Sequence, residues 1–109
     1  MKKGDIYLIE FMSFKGHEQK GMRPGIIVSD KIANLVIVVP LTSNTKALQY
    51  DFTLEINPSK ENGLDLKSIA MSFQIRAIDV RQINKKLGKL DKKSLDNINN
   101  QIKSMLKLK

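Results

Sequence analysis

Apolar and polar positions follow one another in short runs for most of this chain, and a helical period emerges only near its C-terminus. Asp5–Phe11 (DIYLIEF) alternates imperfectly, and its β-branched and aromatic residues predict a strand. Residues 12–22 contain Gly16 and Gly21 and no hydrophobic period, the pattern of a long loop. The run PGIIVSD predicts a strand beginning at Pro24, because proline is tolerated at a first strand position and cannot donate to a ladder. SDKIAN predicts a short turn, or a helical turn capped by Ser29 or Asp30. Leu35–Thr42 (LVIVVPLT) is almost continuously apolar, as in a strand buried on both faces, with Pro40 marking a bulge or strand end.

Residues 48–56 (LQYDFTLEI) alternate cleanly and predict a further strand, closed by a loop holding Asn57, Pro58, Asn62 and Gly63. KSIAMSFQIRAIDVRQI predicts two short strands with a bend near Gln74. Leu95, Ile98, Ile102, Met105 and Leu106 then fall on one face of a helix, with Asp91 as its N-cap and Lys103, Lys107 and Lys109 near the negative end of its dipole. Strands joined by tight turns and followed by one packing helix predict a mainly β fold with a C-terminal α-helix. The expected form is a small curled barrel over residues 4–83 and a helix over 91–107, within one domain spanning residues 1–109.

Composition narrows the chemistry. A chain of 109 residues suits one modest core, and 41% apolar with 28% charged residues is a globular balance. The absence of cysteine excludes disulfides and thiolate zinc sites and suits a reducing cytoplasm. A single histidine excludes a histidine-based metal site within one subunit. No apolar signal segment develops before Asp5, and the apolar run at residues 35–41 is far too short to cross a bilayer. The net charge of +8 points to a polyanionic partner, yet residues 85–109 hold eight lysines against Asp91 and Asp96. Most of the basicity therefore sits on the C-terminal segment, where it serves equally as a solvated helix face.

No GxSxG, GxxxxGK[ST] or HExxH motif is present. What stands out is density: His17, Glu18, Gln19, Lys20 and Arg23 fall in one predicted loop. Thr42 and Ser43 form a second polar spot at the end of a core strand, a place suited to rigid positioning. The alternative is that these hydroxyls close off the strand's last backbone groups. Glu61, Asp65 and Asp79 read as scattered surface charges.

Together, KGDIYLIEF, GHEQKGMRPGIIVSD, VVPLTS, QIRAID and LGKLD resemble the MazF/PemK/Kid family of bacterial toxins, in the same order and over nearly the whole chain. The resemblance implies an SH3-like barrel with a C-terminal helix, usually a homodimer, acting in the cytoplasm as an mRNA interferase. It implies metal-independent, cofactor-free cleavage of single-stranded RNA through the ribose 2′-hydroxyl, leaving a 2′,3′-cyclic phosphate and a 5′-hydroxyl. It also implies neutralisation by a MazE/PemI-like antitoxin peptide. By resemblance, Arg23 of the RP motif and Thr42 of VPLTS stand at the scissile phosphate. Gln19, Lys20, Ser43 and Gln74 would contact RNA, and Glu18 and His17 are the candidate acid and base. Many members carry serine at the position of His17, so an exposed loop histidine remains an equal reading. An acidic residue used by one branch just before the conserved glutamine is Phe73 here, so that branch's acid–base assignment does not transfer. The fold is shared with gyrase poisons of the CcdB type, which need a C-terminal tryptophan that this chain lacks. A degenerate member that binds RNA or antitoxin without cutting is the third reading.

Overall fold

The structure is a computed structural model and describes residues 1–11 and 21–108. Its elements are β1 (Asp5–Phe11), β2 (Gly21–Ile27), β3 (Leu35–Thr42), β4 (Thr53–Ile56), β5 (Ser68–Met71), β6 (Arg76–Asp79), β7 (Ile83–Lys89) and helix α1 (Lys92–Met105). All pairings are antiparallel, in the order β4-β5-β3-β2-β1-β7, with β6 also paired to β3. The class is the expected one, mainly β with a C-terminal helix.

β3 is the hub, because its apolar run can be buried along most of its length. One edge pairs with β2 at Gly25↔Pro40, Ile26↔Val39 and Ile27↔Val38. The other edge pairs with β6 from Leu35 to Val38, then with β5 at Leu41 and Thr42. Alternate β3 residues feed two cores: Val39 and Leu41 join Ile6, Ile26 and Ile98, while Val36 and Val38 join Ile9, Phe11 and Ile27. Burial on both faces is incomplete at the start of the strand, where Leu35 and Ile37 are 49% and 39% exposed.

The curl is closed by a loop rather than by a ladder. Glu61 carbonyl accepts the Lys89 N–H at 2.8 Å, so the segment after β4 lies on β7. Gly63 has φ +68°, and a Cβ there would run into the Leu87 carbonyl, so only glycine allows this approach. The buried Asn62 side chain shapes the loop from within, accepting from Ser59 N at 2.9 Å and Leu64 N at 3.0 Å and donating to Asn57 O at 2.9 Å.

The structure differs from the sequence pattern at several points. β2 begins at Gly21, ahead of Pro24, because β1 pairs with it through Phe11↔Gly21. The stretch expected as one strand over residues 48–56 instead contains a 3-10 turn at Thr45–Gln49, with β4 starting only at Thr53. There Asn44 caps Lys46 N, Ala47 packs with Ile69 and Met71, and Tyr50 stays exposed. Of the two readings of SDKIAN, the short turn is the one formed: Ile32 and Leu35 exchange backbone bonds of 2.9 Å around Ala33 and Asn34, with no helical turn. β7 was not expected at all. Among the described residues β1 is its one strand partner, the loop at residues 61–63 covers its outer edge near residues 87–89, and its lysines hide its period.

Helix α1 ends at Met105, two residues short of the expected limit. Ile98 is fully buried, Leu95 and Ile102 pack on the same core, and Leu106 turns out to solvent. Gln101 ties the helix to the sheet, accepting from Ser72 Oγ at 2.7 Å and donating to Thr53 O at 2.7 Å. Among the described residues no helix is long and apolar enough to cross a membrane. Ile98→Ala should lower unfolding free energy by about 3 kcal/mol in urea titration, the usual cost of such a cavity. At the N-cap, the Ser94 N–H donates to Asp91 at 3.0 Å and holds its carboxyl below the ordinary range. A depressed folded pKa adds stability that is present above the unfolded value, about 4 for Asp, and is lost as pH falls through the folded one. Asp91→Ala should therefore lower the melting temperature at pH 7 and have less effect at pH 3.

Candidate active site

The ladder between β2 and β3 stops at Gly25↔Pro40, although both strands continue. Beyond that point β3 is paired only on its other edge, with β5 at Leu41↔Ala70 and Thr42↔Ile69, while β2 stays with β1, pairing Pro24↔Leu8 and Arg23↔Ile9. The chain chemistry suits this fork. Pro24 and Pro40 lack an N–H to offer across it. Continuing the β2–β3 register past Gly25↔Pro40 would set Pro24 opposite Leu41 and Arg23 opposite Thr42. The two polar residues thus stand on opposite lips of a gap in the sheet.

That gap opens into a cleft of about 470 Å³. Arg23, Thr42 and Ser43 line it, with Leu8 and Leu41 forming its apolar floor. Arg23 is half-buried, on a strand rather than in the loop where the sequence placed it. Thr42 Oγ1 accepts the Asn44 N–H at 3.2 Å, which is the strand-closing role weighed as the alternative. That bond uses a lone pair and leaves the hydroxyl hydrogen to donate, so the two roles are compatible. The far wall of the cleft carries Asp65, from the loop before β5, and Lys85, from β7. Neither carries a local signal in the sequence. Asp65 looked like a scattered surface charge and Lys85 like part of a basic tail, and only the folding of that loop onto β7 makes them neighbours of the site.

Gln74 lies outside this cleft. It ends a short 3-10 turn after β5, and its side-chain and backbone oxygens accept from Arg76 at 3.2 and 3.3 Å. The Arg76 guanidinium in turn sits 5.4 Å above the Phe11 ring. His17, Glu18, Gln19 and Lys20 fall outside the described residues.

Residues 2–106 match the family described as PemK-like, MazF-like toxin of type II toxin–antitoxin systems. The chain belongs to this family. It is 33% identical over 106 residues to endoribonuclease MazF of Staphylococcus saprophyticus, covering 94% of this chain and 88% of that one. It is 28% identical over 112 residues to endoribonuclease EndoA of Bacillus subtilis, covering 99% and 96%. The fold matches the crystal structure of MazF from Deinococcus radiodurans with a TM-score of 0.80 and 22% identity, covering 99% and 97% of the two chains. It also matches a MazE–MazF structure from the same organism with a TM-score of 0.77.

Parts of the MazF-like signature prove to be architectural in this chain. Asp79 of QIRAID accepts the Arg81 guanidinium through two bonds of 3.0 Å and the Arg81 N–H at 2.8 Å. These side-chain and then backbone bonds hold its carboxyl below the ordinary range. Gln82 completes the cap at Asp79 N and reaches Glu10 O at 2.9 Å, fastening β6 to β1. Phe73 packs on Ala47, Ile69 and Met71, with its ring 5.2 Å from that of Tyr50, so it is a packing residue. Asn62→Ala should cost about 3 kcal/mol, since three backbone groups lose a buried partner. Faster amide exchange at Leu64, measured by NMR, would show the cleft wall loosening.

Proposed function

We propose that this chain is a sequence-selective, metal-independent endoribonuclease toxin that cuts single-stranded RNA, mRNA among it, in the cytoplasm. The observation that carries the reading is the strand fork, whose register sets the guanidinium-bearing Arg23 across from the hydroxyl of Thr42 at the mouth of a cleft. Two curated relatives that are named endoribonucleases support it.

In the proposed reaction the ribose 2′-hydroxyl attacks the adjacent phosphorus and the 5′-oxygen leaves. The products are a 2′,3′-cyclic phosphate and a 5′-hydroxyl. Charge builds on the non-bridging oxygens during this step, so a fixed cation with paired donors is the most useful group. Arg23 supplies it, and a half-buried strand position limits how far it can stray. Thr42 donates its hydroxyl hydrogen to the same phosphate and keeps its acceptor bond to Asn44. Ser43 lies next along the chain and contacts the RNA backbone. A guanidinium holds its proton far too tightly to be a good proton carrier near neutrality. Proton removal and delivery therefore fall to Glu18 and His17, with Gln19 and Lys20 contacting RNA from the same segment. Gln74, held by Arg76, contacts nucleotides beyond the cleft.

The toxin works as a homodimer and is neutralised by a cognate antitoxin of the MazE type. The solved MazE–MazF structure with a TM-score of 0.77 supports the antitoxin. Purified protein should cut a long single-stranded RNA in EDTA and leave cyclic phosphate ends. Arg23→Ala should lower the rate by at least about 10³-fold and Thr42→Ala by about 10²-fold, losses typical of removed charge-stabilising donors. Both variants should keep the wild-type circular dichroism spectrum. Equal cleavage by wild type and Arg23→Ala would contradict the assignment.

A further inference from the structure

We propose that Asp65 and Lys85 form a nucleotide-reading subsite on the far wall of the cleft, where Asp65 selects a base bearing an exocyclic amine and Lys85 holds a neighbouring phosphate. The proposal rests on the endoribonuclease reading and deepens it. Both side chains line the same cleft as Arg23 and Thr42. Although opposite in charge, they make no ion pair with one another, and neither takes part in any of the salt bridges among the described residues. Both are exposed, so neither has already exchanged its hydration for a protein partner.

The wall is also built to hold its position. Asp65 follows Leu64, which is buried in the core and whose N–H is bonded to Asn62. Ser68, three residues on, is already in β5. Lys85 is on β7, the strand to which the same loop is fastened by the Lys89–Glu61 bond and by the close approach of Gly63 to Leu87. The loop that carries Asp65 is therefore tied to the strand that carries Lys85.

The chemistry distinguishes the two roles. An ionised carboxylate only accepts hydrogen bonds. Among RNA bases, adenine, cytosine and guanine offer an exocyclic amine to it, whereas uracil offers one imino N–H between two carbonyl oxygens that repel it. Single-stranded RNA exposes those Watson–Crick edges, which a duplex would hide. A lysine ammonium carries no such code and binds phosphate as a point charge. Asp65 is thus a specificity-determining residue and Lys85 an affinity residue.

The test is cleavage-site mapping on a long RNA, followed by rates on short oligonucleotides with each base near the cut varied in turn. For wild type, one position should disfavour uracil by about tenfold or more, the scale of one base-edge contact. Asp65→Ala should erase that discrimination and leave preferences elsewhere intact. Lys85→Ala should slow cutting at every site alike and weaken the salt dependence of KM. If wild type cuts RNA but Asp65→Ala shows an unchanged pattern, the subsite is overturned while the endoribonuclease reading stands. A uniform loss at all sites with a shifted pH–rate profile would also overturn it, since Asp65 would then be moving protons. If wild type does not cut RNA, the functional reading itself falls, and the subsite with it.

Discussion

The central constraint is that β3 has more neighbours than one straight ladder can serve. One of its edges serves β6 and then β5, while the other serves β2 only as far as Pro40. Residues 38–41 can do this because they are apolar enough to be buried on both faces, with Val38, Val39 and Leu41 fully inaccessible. The fork is the point where the β2 ladder ends at Pro40 while the other edge of β3 continues onto β5. The fork leaves the half-buried Arg23 and Thr42 lining the cleft, with two prolines where ladder hydrogen bonds would otherwise be wanted. Stability and site therefore share one cause. The strand that holds the two cores together is also the one whose departure from β2 opens the cleft.

The rest of the architecture steadies the second side of that cleft. The segment after β4 is pinned to β7 by backbone bonding and by glycine contact, and Asn62 fills its interior hydrogen bonds. Helix α1 buries Ile98 in the core beneath and clamps β4 through Gln101. The cleft is thus lined by strand residues and by a loop tied to β7 and hydrogen-bonded from within, an arrangement suited to positioning chemistry.

The sequence was most legible where local pattern and burial coincide. DIYLIEF, LVIVVPLT and the Leu95–Ile98–Ile102 period produced β1, β3 and α1 at nearly their observed limits. It was least legible where a tertiary partner overrides the pattern. The alternation from Leu48 to Ile56 is real, but Ala47 settling on Ile69 and Met71 converts its first half into a 3-10 turn. β7 is hidden by lysines that only an edge strand tolerates. Arg23 and Thr42 were identifiable from motif resemblance, yet no spacing in the chain reveals that they face each other across a broken ladder. Asp65 and Lys85 carry no signal in the chain, because their proximity depends on a loop folding over a strand that the pattern did not predict. QIRAID shows the converse, since Asp79 and Arg76 serve mainly to cap and brace in this chain.

The claim on which everything turns is that the β2–β3 fork holds the scissile phosphate. The most direct measurement is a crystal structure of the protein with a single-stranded oligoribonucleotide made uncleavable by 2′-fluoro substitution. One phosphate should lie within hydrogen-bonding distance of both the Arg23 guanidinium and the Thr42 hydroxyl. RNA seated elsewhere, for instance along the lysine-bearing face of α1 with the fork empty, would contradict it.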